Sequence, residues 1–463
     1  MAIWIPSLAE RQGTRASALV DAIREDIAAG LLKAGDRLPP QRQLADALGL
    51  APQTVMRAYA EATRRGYVRG EVGRGTYVCP SGNQVSQHGE ATLSRSEQGP
   101  IDFSQNLPLP GESAQALVET LADLARAGGC SDYLDHQQTD AGLRHRQAAA
   151  NWISTLGLRA DAQNVVLTNG AQQGIFAALL ALLRPGDVLL TEAMTYAPLP
   201  MLAQHLGVRL VGLPMDEEGI VPDALESACR QYKPKALYLT PTLQTPTTAT
   251  MGEDRRKRIA CAAQTHDLVI VEDDVFGFLP PARPLPLAAF ASERTIFVTS
   301  LSKSVAPGLR VGFVLAPNER ISAVRSAVNL SSWMPPPLMM EIAARWIEGG
   351  VASALNASQR VHAARRQSIA RNALEGLDYR ADPHGLHLWV SLPDHWEADT
   401  FVAEAEHKGV LLRPARAFLT LGTRAPSAVR LSLSHEASDA RAAHGLRVIS
   451  DLIKTSARDD FVV

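Results

Sequence analysis

Lys303 stands three residues after Ser300 and seven before Arg310, at the end of the apolar run Thr295–Thr299. A lysine held at a strand end offers an amine that can condense with a carbonyl. A hydroxyl and a guanidinium at those offsets suit a phosphate dianion beside it. A lone lysine is usually a solvated surface charge; the Ser-x-x-Lys-x6-Arg spacing, with Gly308 and Gly312 around it, argues otherwise. A second apolar run, Leu268–Glu272, delivers Asp273, whose carboxylate can keep a pyridine nitrogen protonated so that the ring stays an electron sink. Taken alone, an acid in that position caps a helix as readily. Residues 165–174 read as a strand, a tight turn and a helix start, where the free N–H groups of Gly170, Ala171 and Gln172 can cradle an anion, although such turns are ubiquitous. Tyr196, which follows the run Asp187–Thr191, can stack flat on a ring or simply fill the core. Amine, acid, cradle and flat partner are the four parts needed to hold pyridoxal 5'-phosphate.

The elements that must position these residues follow one pattern. From about residue 101, short apolar runs (165–168, 187–191, 236–240, 268–272, 295–299) alternate with amphipathic helical stretches. That alternation predicts an α/β fold with a largely parallel sheet covered by helices. From about 375 the pattern changes to His-Gly-Leu-His-Leu-Trp-Val-Ser-Leu and Val-Arg-Leu-Ser-Leu, predicting a smaller α+β subdomain.

The N-terminal segment has another organisation. Leu19, Ile23 and Ile27 form one stripe of a helix over 18–29, stopped by Gly30. A short helix over 41–48, a turn at Gly49 and a helix over 53–65 with Val55 and Tyr59 inward form a helix-turn-helix, mostly α in content. The second of these helices can present Gln53, Thr54 and Arg57 outward; amide and guanidinium groups pair with purine edges and hydroxyls with phosphate. Residues 66–78 read as two strands around a glycine-rich tip carrying Arg74, a wing able to lay a cation on a DNA backbone. Residues 79–100, rich in Ser, Gly and Gln, read as a flexible linker. The predicted division is therefore 10–78, 79–100 and 101–463.

These motifs resemble two known families. The segment from Pro39 to Val78 resembles the GntR-type winged helix, and that resemblance implies DNA contacts by Arg42, Thr54, Arg57 and the wing at 73–75, including Gly75. Where many relatives carry Ser-Arg-Asn-Thr, this chain has Ala51-Pro52-Gln53-Thr54, which predicts a different half-site preference. Residues from about 101 to 455 resemble the type I aminotransferase fold of the pyridoxal phosphate-dependent transferases. That likeness implies Lys303 as the aldimine lysine, Asp273 as partner of the ring nitrogen and Tyr196 as the stacking residue. It also implies Gly170, Ala171, Gln172, Ser300 and Arg310 as phosphate ligands, and Arg430 as the residue that grips an α-carboxylate. Two positions depart from the pattern: Thr245 replaces an asparagine and Phe276 a tyrosine, both of which contact the cofactor's phenolic oxygen. Fewer donors there predict weakened proton-transfer chemistry.

A GntR-type head on such a body is similar to the MocR (PdxR-like) regulators. The resemblance implies a homodimer, head-to-tail, on a double-stranded DNA operator. It further implies an amino-acid-like effector that exchanges the Lys303 internal aldimine for an external one. Two other readings stay open: an aminotransferase with an accessory DNA-binding head, and a regulator of vitamin B6 synthesis that senses the cofactor itself.

Bulk properties fit. Of 463 residues, 46% are hydrophobic and 20% charged, a globular balance with a formal net charge of −2. Residues 1–80 carry 11 Lys and Arg against 8 Asp and Glu, so a mildly basic head precedes an acidic body. That permits DNA contact at one end, though it falls within ordinary fluctuation. Four scattered cysteines have no metal-ligand or redox spacing. With no signal-peptide pattern and no apolar run of membrane-spanning length, the expected location is cytoplasmic.

Overall fold

A computed structural model describes residues 4–6, 15–28, 31–33, 35–64, 67–71, 75–78, 99–108, 111–135, 142–420 and 425–455. The chain divides into two compact units, Met1–Ser94 and Arg95–Val463. The predicted linker lies outside the described residues except for its last two.

In the head, the helices Arg15–Ala28 and Gln41–Leu48 both pack on the helix Pro52–Arg64. Leu19, Ile23, Leu44, Val55, Tyr59, Val68 and Val78 share one apolar core. Gly49 makes the turn in the left-handed conformation (φ 63°), its N–H reaching Ala45 O and Asp46 O. A residue with a Cβ resists that conformation. The Tyr59 hydroxyl donates to Pro39 O at 2.9 Å, so a buried polar tip is satisfied. Strands Val68–Glu71 and Gly75–Val78 pair antiparallel, with Arg37 bridged to Tyr77 beside them. Arg74, at the predicted wing tip, lies outside the described residues.

The body is built on a seven-stranded sheet. In spatial order its strands are Val165–Thr168, Gly312–Leu315, Thr295–Ser300, Val269–Asp273, Ala236–Leu239, Val188–Glu192 and Arg209–Leu213. All neighbours are parallel except Gly312–Leu315, which is antiparallel to both of its partners. Helices cover both faces, which is why the central strands read as continuous apolar runs rather than alternating ones. The helix Gly170–Leu182 lies against the sheet through Gly174; a Cβ there would stand 2.9 Å from Val314 and 3.0 Å from Val298.

The smaller subdomain is an antiparallel sheet ordered Tyr379–Ala381, His387–Ser391, Ala428–Ser432, Arg413–Pro414. Helices Val351–Ala373, Ala398–His407 and Asp439–Lys454 contribute with it to a core containing Leu388, Val390, Phe401, Val429, Leu431 and Leu446. This subdomain reaches beyond the predicted tail: Ile101–Asp102 runs parallel to Val410–Leu411 and joins the same core through Ile101 and Phe103. No local pattern in the sequence marks so distant a pairing. Among the described residues no helix is long and apolar enough to cross a membrane.

Candidate functional site

The site assembles where the large sheet's strands end. Asp273 closes the strand Val269–Asp273 and is buried. Its Oδ2 accepts a hydrogen bond from Tyr238 Oη at 2.7 Å, but its Oδ1 is buried without a partner. Burial pushes the Asp273 carboxyl up to about 6, against the hydrogen bond from Tyr238 and the backbone N–H of Val275. Lys303, just beyond the strand Thr295–Ser300, donates to Asn106 O. Burial pushes its amine down to about 7; Arg430 and Arg310 add repulsion and Asp273 opposes them. An amine displaced that far is partly neutral, the nucleophilic form, near neutral pH.

The anion cradle forms from three adjacent chain segments. Ser300, Gly312 and Thr168 are register partners across neighbouring strands. A Cβ on Gly312 would lie 2.5 Å from Gly170 C and 2.8 Å from Ala171 N, so the strand approaches the helix start as closely as only glycine permits. Arg310 fills the space a Gly170 side chain would need, bonding Asn169 O and Ser302 Oγ, each at 3.3 Å. Ser300 Oγ is buried and accepts from Ser302 N at 3.3 Å, while Gln172 on the helix's first turn is exposed. Tyr196 is half-buried in the adjoining core, its phenol pushed up by burial and by Asp273, with Arg310 opposing.

The remaining wall comes from the loop after the strand Ala236–Leu239 and from the smaller subdomain. Arg430 sits in the strand Ala428–Ser432 and is buried. Its Nη1 donates to Thr245 Oγ1 at 3.4 Å and its Nη2 to Ser104 O at 2.6 Å, while its Nε has no partner. The guanidinium lies 4.9 Å from the Phe418 ring centre. Burial, then Arg413, pushes Arg430 down to about 9. Phe276 is buried with its ring centre 5.7 Å from Lys303 Nζ, among Leu243, Leu279 and Leu386. Among the positions predicted for the pocket, Phe276 brings no hydrogen-bond donor to it.

Four residues at this site were not singled out from the sequence. Tyr238 occupies the middle of a buried strand as the only hydroxyl-bearing residue there, which is the one signal available for it. Asn106 and His387 form a pair: Asn106 Nδ2 donates to His387 Nδ1, and His387 Nε2 donates to Gln244 O, each at 3.2 Å. Burial, then Arg430, pushes His387 down to about 3, so its ring is neutral with the proton on Nε2. The fourth, Arg256, is fully buried and clamps the loop carrying Thr245, donating to Met251 O, Pro241 O and Thr242 Oγ1.

An unpartnered buried carboxylate oxygen, a glycine-lined anion cradle and a buried lysine fit pyridoxal 5'-phosphate. Residues 98–446 match the model of the aminotransferase class I and II family. The chain belongs to that family. Residues 15–78 match the bacterial regulatory proteins of the gntR family, so the chain joins a GntR winged helix to a pyridoxal phosphate-dependent, type I transferase fold, as in MocR/PdxR-like regulators. It is 28% identical to the uncharacterised HTH-type transcriptional regulator YdeF of Bacillus subtilis, over 97% of this chain and 96% of that protein. It is 27% identical to the HTH-type transcriptional regulator TauR of Rhodobacter capsulatus, over 91% and 93%. Among solved structures, the α-aminoadipate aminotransferase LysN of Thermus thermophilus, complexed with N-(5'-phosphopyridoxyl)-L-leucine, matches with a TM-score of 0.69 and 26% identity, over 77% of this chain and 92% of that one. The protein is a transcriptional regulator with an aminotransferase-like domain.

Proposed function

We propose that the body senses an amino-acid-like primary amine, which takes the place of Lys303 on the cofactor, and that this changes how the heads engage DNA. The observation that carries the reading is Arg430: a buried guanidinium whose Nε has no partner and whose charge bears on the buried Lys303 amine. Buried arginine without a carboxylate is costly, and a ligand carboxylate would relieve it through charge-assisted hydrogen bonds. When bound, the cofactor supplies an aldehyde carbon for which the lysine and a free amine compete. Asp273 Oδ1 would hold the ring nitrogen's proton, and Gly170, Ala171, Gln172, Ser300 and Arg310 the phosphate. Tyr196 would cover one ring face. Thr245, engaged with Arg430, and Phe276, with no donor, would offer a bound cofactor's phenolic oxygen few hydrogen bonds, which favours sensing over turnover.

In the head, Arg42, Gln53 and Arg57 are exposed and Thr54 half-buried, a placement suited to meeting a groove, with Gly75 at the base of the wing. The proposed working form is a head-to-tail homodimer in the cytoplasm. Its domains are 10–78 and 101–463, with 79–100 carrying the change in head spacing that selects two half-sites. Only an effector that binds two arrangements unequally shifts the balance between them.

The test uses the cofactor-loaded full chain, an absorbance titration with a panel of amino acids, and mobility shifts on the DNA upstream of its own coding sequence. The reading predicts that amines which move the cofactor band also change DNA affinity, and that Arg430→Met abolishes both responses. Sustained transamination at about one turnover per second or faster would favour an enzyme instead. DNA affinity that follows cofactor occupancy and ignores amines would favour a sensor of the cofactor.

A further inference from the structure

One row of side chains crosses the smaller subdomain's sheet. Arg413 is the register partner of Arg430, and Arg430 of Trp389. Residues directly opposite on antiparallel strands project from the same face, their Cβ atoms about 4.5–5.5 Å apart. Their chain neighbours Leu388, Val390, Leu412, Val429 and Leu431 all point into the helix-covered core. The pleat therefore sends Trp389, Arg430 and Arg413 to the other face, where Arg430 meets Thr245 and Ser104.

Like charges directly opposite on a sheet destabilise it, and among the described residues no carboxylate forms an ion pair with either guanidinium. Among the described residues the Arg413 side chain has no hydrogen-bond or ion-pair partner. Arg380, next along the same row on the outer strand, is different: it meets Glu217 at 3.6 Å. Asp102, the acid that acts on Arg430, accepts from Ser104 N at 2.7 Å and lies 3.7 Å from His435. A single α-carboxylate brings one negative charge to two guanidiniums, which leaves one guanidinium for a second acid group.

We propose that Arg413 is a second anion receptor in the effector pocket, and that the effector is an acidic amino acid. Its α-carboxylate rests on Arg430 and its distal acid group on Arg413. Trp389, between Arg380 and Arg430 in the row, lies on Arg430's other side and supplies an apolar flank. This inference rests on the reading of the pocket as an amine sensor.

The test titrates the cofactor-loaded full chain with L-aspartate, L-glutamate and L-2-aminoadipate against L-alanine and L-norvaline, following the cofactor's absorbance. The best acidic ligand half-saturates at a concentration at least about tenfold lower than the neutral ones, a factor within reach of one charge-assisted hydrogen bond. Arg413→Met brings that ratio to about one and leaves the neutral ligands within about twofold; Arg413→Lys keeps part of the preference. A wild-type protein that treats acidic and neutral ligands alike overturns the proposal. So does an Arg413→Met protein that weakens both classes equally. Glutarate against butyrate in a thermal shift separates the two readings, because neither carries an amine. If no amine moves the absorbance band yet glutarate still stabilises the protein through Arg413, amine exchange fails and the two-anion site stands. If glutarate also does nothing, the two-anion site falls.

Discussion

Arginine is put to opposite uses at the two ends of this chain. In the head, Arg42 and Arg57 stand in solvent beside the exposed Gln53. In the body, Arg256 is fully buried and Arg430 nearly so. A charge that meets a polyanion from solution keeps its hydration until the encounter, and its attraction reaches only about a Debye length, roughly 8–10 Å in physiological salt. A charge that reads a small ligand is desolvated in advance, so each contact is stronger and an unpaired one costs more. The groups around the pocket follow this division: Lys303, Asp273, His387 and Arg430 are all displaced mainly by burial, whereas in the head burial pushes up the phenol of Tyr59, an uncharged group that bonds Pro39 O.

The hardest test of this contrast, with the largest expected effect, is Lys303→Met. Burial holds the Lys303 amine near 7 instead of 10.5 in the cofactor-free fold. Between those values the unfolded chain binds more protons than the folded one, so stability rises with pH across that window, by at most about 1.4 kcal/mol per pH unit. Urea unfolding of cofactor-free protein from pH 7 to 10 should show the wild type gaining on Lys303→Met. Parallel pH curves would mean that the amine is solvated, and would remove the distinction between the two ends. With cofactor present, Lys303→Met should also lose the chromophore that borohydride fixes to the wild type.

A smaller effect is expected in the head. Arg57→Ala should weaken operator binding by about tenfold or more if Arg57 reads a base edge, with discrimination lost at one position. If it meets phosphate, binding should weaken on all sequences and the slope of log affinity against log salt should fall by about one. Effector half-saturation should stay unchanged, and Arg430→Met should leave the DNA affinity of unliganded protein unchanged. Binding isotherms at several salt concentrations check both halves. An Arg57→Ala protein with normal DNA binding would assign recognition to another face of the head.

The two ends also differed in how much their sequences disclosed. The helix Gln41–Leu48 and the strand Val165–Thr168 have the predicted bounds, and other predicted elements shift by a few residues. Local periodicity and a glycine stop act over a single turn, so they are readable without the rest of the chain. Lys303, Asp273 and Gly170 were marked because each sits at the end of an apolar run, where the chain leaves the sheet. Asn106 and His387 could not be marked in that way. They come from segments 281 residues apart that meet only through the smaller subdomain, and neither carries a local signature. Arg413 was equally hidden: its meaning lies in the register with Arg430, which pairs strands whose spacing the sequence does not fix. The antiparallel direction of Gly312–Leu315 within a mostly parallel sheet was likewise invisible, because an apolar run reads the same in both directions.

The smallest expected effect compares two glycines, one from each end. Gly49 closes the head's helix-turn-helix with φ at 63°, and a Cβ there would meet nothing within 4 Å. Gly49→Ala should therefore cost only the left-handed backbone penalty, about 1 kcal/mol. Gly312 is not at positive φ, but its Cβ would stand 2.5 Å from the backbone of Gly170, so Gly312→Ala should open the phosphate cradle and loosen the cofactor. Hydrogen exchange read by mass spectrometry separates the two outcomes. Gly49→Ala should lower protection of peptides spanning Val55 and Tyr59 by about fivefold, with cofactor retention and the body's protection unchanged. If Gly49→Ala also loosened peptides around Lys303, the head and body would unfold as one unit, and their division into two separately stable regions would have to be abandoned.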